Sequence, residues 1–262
     1  MATGVYVDKL KNGKPNYRAS LTHEGKHISL GSYGSKREAH RAYRFASDLI
    51  KAGHFEVSSY PAGCPLKFDK YVSLINLLDN GIYFPAPIYL NKRDFSYFLS
   101  PSRELKFDMD DLFYFSRHRI MERGNHLFIS EFGMQTSLRE RFGIKSFAVE
   151  GRDFLFINKD TLDYRRENIE IINRYHGVRL KKTLISTVYK AVIHLRSDYV
   201  IGNYATEKEA AIAYNKAADV LIKNGFDKAF PQNYLDDVSP KEYASIYTDL
   251  KISDRILSLR PT

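Results

Sequence analysis

Apolar and polar positions along the chain set up one pattern twice. "GVYVDKLKNGKPNYRASLTHEGKHISLGSY" from Gly4 and "GVRLKKTLISTVYKAVIHLRSDYVIGNY" from Gly177 both alternate apolar and polar residues in short runs. Alternation at period two puts successive side chains on opposite faces of a strand. The turn-formers "KNGK" and "HEGK" separate the runs of the first copy. Each copy therefore predicts three short antiparallel strands. On the middle strand Tyr17, Ala19 and Leu21 share one face, leaving Arg18, Ser20 and Thr22 on the other. In the second copy Tyr189, Ala191 and Ile193 face inward, and Lys190, Val192 and His194 outward.

The period then changes. "SKREAHRAYRFASDLI" (35–50) and "TEKEAAIAYNKAADVL" (206–221) stand 171 residues apart and are identical at six of sixteen positions. Each opens with a hydroxyl residue, Ser35 or Thr206, and places Glu38 or Glu209 three residues on. That spacing is a capping box and predicts a helix start. Ala39, Ala42, Tyr43, Ala46 and Ile50 fall on one helical face, and its three alanines let the helix axis lie close to what it covers. The repeated unit is a three-stranded sheet backed by one helix, with the other sheet face uncovered.

Between the copies the pattern is aromatic-rich. "DLFYFSRHRI" and "NHLFISEF" read as strands of a half-buried sheet, and "SLRERFGI" is too short for an independent helix. "LDYRRENIEIIN" reads as a strand end, a turn and a helix, with Asp163 as its N-cap. The tail "SPKEYASIYTDLKISDRILSLR" reads as a helix packed on the core or on a second subunit. "SSYPAGCP" (58–65) and the step near Asn173–Tyr175 are the expected joints. The expected divisions are 1–60, 61–172, 173–235 and 236–262.

Charge gives the open faces a use. The chain carries a formal +9, yet residues 61–170 hold sixteen Lys/Arg against sixteen Asp/Glu. Residues 1–60 hold ten against five, and residues 171–235 again ten against five. The excess lies in the two repeats, as in paired polyanion-binding modules. A bare, basic sheet face suits the DNA major groove, which admits a β-ribbon. The single cysteine, Cys64, excludes an internal disulfide framework and a cysteine-based zinc cluster. No apolar run approaches the roughly 18–20 residues of a membrane span, and the start lacks a signal-peptide pattern. These features predict an intracellular protein, nucleoid-associated if bacterial or phage, with no membrane partner.

The motifs "GV…YRASL…LGSY…SKREAHRAYRFAS" and their second copy resemble the APETALA-type/ethylene-response-factor DNA-binding domain over roughly 1–55 and 175–225. That resemblance implies a three-stranded sheet laid in the major groove of double-stranded DNA. By position it puts Tyr6, Asp8, Arg18, Ser20, Thr22, His27 and Ser29 in the groove, with Lys9 and Lys11 alongside. In the second copy it puts there Arg179, Lys181, Lys190, Val192, His194 and Arg196, with Lys182 alongside. Plant members carry several Arg and Trp on this face, and this chain has no Trp, so the target sequence does not carry over.

"DTLDYRRENIEII" resembles the end of HNH homing-type endonucleases. In that register Arg139 stands at the family's first histidine and Leu155-Phe156 at its Asp-His pair, while Asn168, an architectural residue there, is kept. HNH cleavage needs a histidine base and a metal-holding side chain. Loss of a general base alone costs roughly 10²–10⁴ in rate. His118, His126, Asp153 and Asp160 fit no metal-ligand spacing, and neither a phosphate loop nor a nucleophile elbow is present. The expected fold class is α+β: two small three-stranded antiparallel sheet plus helix modules flanking a central HNH-like α+β domain. The expected function is sequence-specific double-stranded DNA binding without catalysis, as a regulator of transcription or of a mobile element derived from a homing endonuclease. No cofactor, metal or small-molecule substrate is called for, and no protein partner is specified. The alternatives are a metal-dependent nicking endonuclease with an unorthodox site and a protein-binding inhibitor module.

Overall fold

The computed structural model describes residues 4–9, 12–53, 55–131, 133–183 and 186–261. It is mixed α+β, with several small three-stranded antiparallel sheets and few helices. The backbone gathers into two compact bodies, 1–138 with 160–166, and 139–159 with 167–262. Residues 61–172 thus contribute to both.

In the first body β1 (Val5–Lys9), β2 (Pro15–His23) and β3 (Lys26–Tyr33) form an antiparallel sheet in that order. α1 (Lys36–Ala52) follows, and its capping box forms: Ser35 Oγ accepts from Glu38 N, and the Glu38 carboxylate accepts from Ser35 N. α1 buries Ala39, Ala42, Ala46 and Leu49 against Ala19, Leu21, Ile28 and Leu30 of the sheet. α2 (Phe68–Asn80), an amphipathic run that the sequence reading did not single out, packs against α1 with Tyr71, Val72, Leu74 and Ile75 fully buried. Buried Asn76 ties α2 to the next strand, its Oδ1 accepting from Leu90 N at 2.7 Å.

The expected joint at 58–65 is a packed connection. Tyr60 meets Phe68 and Tyr71 edge-on at 5.1 and 5.2 Å and donates to Leu66 O. β4 (Ile88–Leu90), β5 (Asp94–Ser100) and β6 (Arg103–Asp108) form a second sheet. "DLFYFSRHRI", expected as a strand, is a single 3-10 turn followed by α3 (Leu112–Arg117). The buried residues there are Leu112 and Phe115, three apart, while Phe113 is 72% exposed. Burial at helical spacing therefore wins, because Phe115 enters a ring cluster with Phe95, Phe107 and Tyr97. β7 (Ile120–Arg123), β8 (His126–Glu131) and β9 (Met134–Ser137) make a third sheet, with β8 in the expected place. Residues 160–166 join β6 through Lys106 N to Leu162 O and Tyr164 N to Lys106 O. Asp163 is no helix N-cap. It is buried, and its carboxylate pairs with Arg165, which also reaches Asp94.

The one-turn helix α4 (Leu138–Arg141) lies in the chain between the third sheet and the second body's hairpin, β10 (Phe154–Phe156) with β11 (Ile169–Ile171). The expected helix in "LDYRRENIEIIN" is only a 3-10 turn at Arg166–Asn168, because "IEI" pairs as a strand with "FLF". β12 (Val178–Lys182), β13 (Thr187–His194) and β14 (Asp198–Tyr204) repeat the first sheet, and α5 (Glu207–Lys223) repeats α1, including the capping box at Thr206 and Glu209. The tail forms two helices, α6 (Pro240–Asp249) and α7 (Asp254–Ser258), both packed on α5. Ile252 and Ile256 complete that core.

One contact recurs in both repeats. Gly4 (φ +94°) and Gly177 (φ +73°) precede the first strand, and a Cβ on either would come within 2.2 or 2.4 Å of the Tyr43 or Tyr214 ring. The glycine carbonyl then accepts from the middle strand, from Ser20 N or Val192 N at 2.8 Å. Tyr214 is fully buried, whereas Tyr43 is only half-buried. Tyr214→Ala should therefore destabilise α5 by roughly 3–5 kcal/mol, and Tyr43→Ala should cost α1 less, within about 0.5–3 kcal/mol. Hydrogen exchange of the α1 and α5 amides in each variant measures both.

Candidate nucleic-acid interface

Each repeat covers one sheet face with its helix and leaves the other open. On the first sheet Tyr6, 59% exposed, sits opposite Arg18, and Thr22 sits opposite His27. Arg18, Thr22, His27 and Ser29 are exposed, as is Lys9 at the end of β1. Lys11 lies outside the described residues. Arg18 is paired with Asp8 at 2.8 Å, and both side chains are about half in solvent. An exposed pair of this kind is worth about 0–1 kcal/mol, so a polyanion can draw Arg18 away.

On the second sheet Arg179 sits opposite Lys190, and Lys181 and Lys182 extend β12 toward the strand end, both exposed. Arg179 donates to Asp198 Oδ2 at 2.7 Å, and His194 Nδ1 lies 2.9 Å from Asp198 Oδ1. Hydrogen bonds from His194 and Arg179 hold Asp198 below the usual carboxylate range. Arg196 lies in the turn between β13 and β14.

Two expected groove residues are not presented. Ser20 is 5% exposed and Val192 3%. Both donate their backbone N–H to the carbonyl of the glycine ahead of the first strand. The same β-bulge accompanies both, between Ala19 and Ser20 and between Ala191 and Val192.

Val192 instead floors a depression of about 320 Å³ lined by Arg179, His194, Asp198, Arg152 and His176. Arg152, His176 and Asp198 carry no motif, and their place here follows from topology alone. His176 is clamped through its backbone: its N–H donates to Asn233 Oδ1, and its carbonyl accepts from Asn233 Nδ2. Its ring stands edge-on to Phe147 at 4.9 Å and to Tyr214 at 5.2 Å. Burial, and then the nearby Arg152 charge, push the His176 pKa down.

Of the three positions expected at a nuclease centre, Arg139 and Phe156 are packed and Leu155 is 37% exposed. The Arg139 guanidinium lies over the Phe154 ring at 5.5 Å, and Phe156 is buried. Asn168 staples its hairpin, its Oδ1 accepting from Asn158 N and its carbonyl from Ile157 N, both at 2.8 Å. The other candidates are locally engaged. His118 stacks on Tyr114, and Asp160 accepts from Leu162 N. Asp153 is buried and bonded to Arg152, Val149 N and Asn173. Among the described residues no group of three His, Cys, Asp or Glu side chains is placed to hold a metal ion, and no helix is long and apolar enough to cross a membrane. Compared with protein-family models, curated proteins and solved structures, the chain matches none.

The His176 environment sets a pH dependence. Its pKa is lower folded than unfolded, where it is about 6.5. The unfolded chain therefore binds the extra proton first as pH falls. This contribution to stability is complete above the unfolded value and is lost as pH drops through the folded one. The thermal stability of the second body should fall as pH drops below about 6.5, and His176→Phe, which keeps the edge-on ring packing, should flatten that dependence.

Proposed function

We propose that this chain is a sequence-specific double-stranded DNA-binding protein that acts by occupancy. The observation that carries this reading is the repeated one-sided sheet. Two copies of the same unit leave the same face open, and each places cationic residues there: Arg18 on one, Arg179, Lys181 and Lys190 on the other. A three-stranded sheet of this size fits the major groove, where base edges are distinguishable, while Lys and Arg at its rim neutralise phosphates.

In this reading the copies are APETALA-type/ethylene-response-factor-like modules flanking an HNH-like centre, derived from a homing endonuclease and lacking its catalytic side chains. Arg139, Leu155 and Phe156 supply neither a general base nor a metal ligand. The use such a protein would serve is regulation of transcription or of a mobile element. The two open faces differ, so the two elements of the DNA site should differ as well.

Random-sequence selection followed by mobility shift tests the reading. A selected consensus supports it, and binding indifferent to sequence removes it. Affinity should fall with salt with a log–log slope of roughly −5 to −9, as for six to ten neutralised phosphates. Arg18→Ala and Lys190→Ala should each weaken binding with the fold intact, by about 1–3 kcal/mol and at one position for a base contact, or uniformly for a phosphate contact. Normal binding by both variants would place the interface elsewhere. With Mg²⁺ or Mn²⁺ the bound DNA should stay uncut. Specific cleavage lost on changing His118, His126 or Asp153 would make the protein a nuclease.

A further inference from the structure

The depression on the second sheet brings in a side chain from outside that sheet. Arg152 stands in the loop before β10, yet it shares the cavity with Val192, Arg179, His194 and Asp198 of the open face. Its guanidinium is held in one orientation. Nε lies 3.1 Å from both Asp153 carboxylate oxygens, and Nη2 donates to Oδ2 at 2.6 Å.

Asp153 is itself fixed. Its side chain is 4% exposed, and it accepts from Val149 N at 2.9 Å and from Asn173 Nδ2 at 3.0 Å. Asn173 Oδ1 in turn accepts from Leu180 N of β12 at 2.7 Å. The arginine is thereby tied to the sheet through two buried polar side chains. Burial raises the Asp153 pKa, but the hydrogen bonds from Arg152, Val149 and Asn173 outweigh it, and the net shift is downward. The carboxylate therefore stays charged and keeps its hold.

A guanidinium has five N–H donors in a rigid plane. Asp153 takes the Nε and one Nη2 hydrogen, leaving one Nη1 and one Nη2 hydrogen along the outer edge. That edge is a two-donor fork, the geometry that pairs with guanine O6 and N7 or with two phosphate oxygens.

Charge decides between them. Around the cavity Arg152 and Arg179 are balanced by Asp153 and Asp198, and burial favours the neutral form of His176. A phosphodiester calls for net positive charge. A base edge calls for donors held in one plane, which Arg152, fixed by Asp153 and with its side chain 45% exposed, supplies. The geometry points to Arg152 as a specificity-determining residue that reads a guanine edge in the major groove beside the second sheet. This rests on the DNA-binding reading above and adds to it a contact that the sheet itself does not carry.

The test is random-sequence selection with the full chain and with Arg152→Ala and Arg152→Lys. Arg152→Lys keeps a cation against buried Asp153 but removes the planar fork, so it guards against a mere folding defect, and hydrogen exchange of β12 and β13 checks the fold of both. The wild-type consensus should contain a guanine that both variants no longer select. Changing that guanine should cost the wild type about ten- to hundredfold in affinity and the variants almost nothing. Selection of an unchanged consensus by both variants overturns the inference while leaving DNA binding standing. Arg152→Lys behaving as wild type while Arg152→Ala weakens all sequences alike makes Arg152 a phosphate contact, and also overturns it. A wild-type chain that selects no sequence overturns the DNA-binding reading itself, and the guanine contact with it.

Discussion

The structure depends on one contact made twice, a glycine pressed against a helix tyrosine. Gly4 on Tyr43 and Gly177 on Tyr214 leave no room for a Cβ, and each carbonyl bonds back to the middle strand. A side chain at either glycine would force the incoming chain off the helix, and at their positive φ values non-glycine residues are strained as well. The contact, together with the alanine face of the helix, holds one side of a three-stranded sheet closed. The side left open is what a functional reading has to explain. Ser20 and Val192 are buried, so the groove-facing set is narrower than strand alternation alone would give.

The two copies are embedded differently. α1 lies between its own sheet and α2, which leaves Tyr43 half-buried. α5 is packed by α6 and α7 as well as by its sheet, and Ala211, Ile212 and Ala218 are buried along with the expected alanine face. The open faces differ in the same way. Arg18 is checked by a single exposed carboxylate, whereas Arg179 and His194 share Asp198, and Lys190 has no ion-pair partner among the described residues. One fold therefore presents two electrostatic patterns.

The repeated units were legible in the sequence because their signals are local. Strand alternation and a capping box each act within a few residues. The centre was less legible. "DLFYFSRHRI" is as rich in aromatics as a buried strand would be, and the ring cluster around Phe107 and Tyr164 takes Phe115 from a helix. "NIEIIN" carries helix-compatible residues, but β10 is there to pair with it. Arg152 and His176 lie far from β13 in sequence and carry no motif. The Asp153–Asn173 tie places Arg152 and the Asn233 clamp places His176, and no spacing rule encodes either.

The central claim is that DNA meets the open sheet faces and not the helices behind them. Single cysteines introduced at Thr22 and Lys190, on the open faces, and at Arg44 and Lys208, on the helices, report this through their alkylation rates with and without a selected DNA duplex. Half-buried Cys64 serves as an internal reference. DNA should slow alkylation at Thr22→Cys and Lys190→Cys and leave Arg44→Cys and Lys208→Cys unchanged. Protection of the helix positions with the sheet positions still reactive would contradict the account.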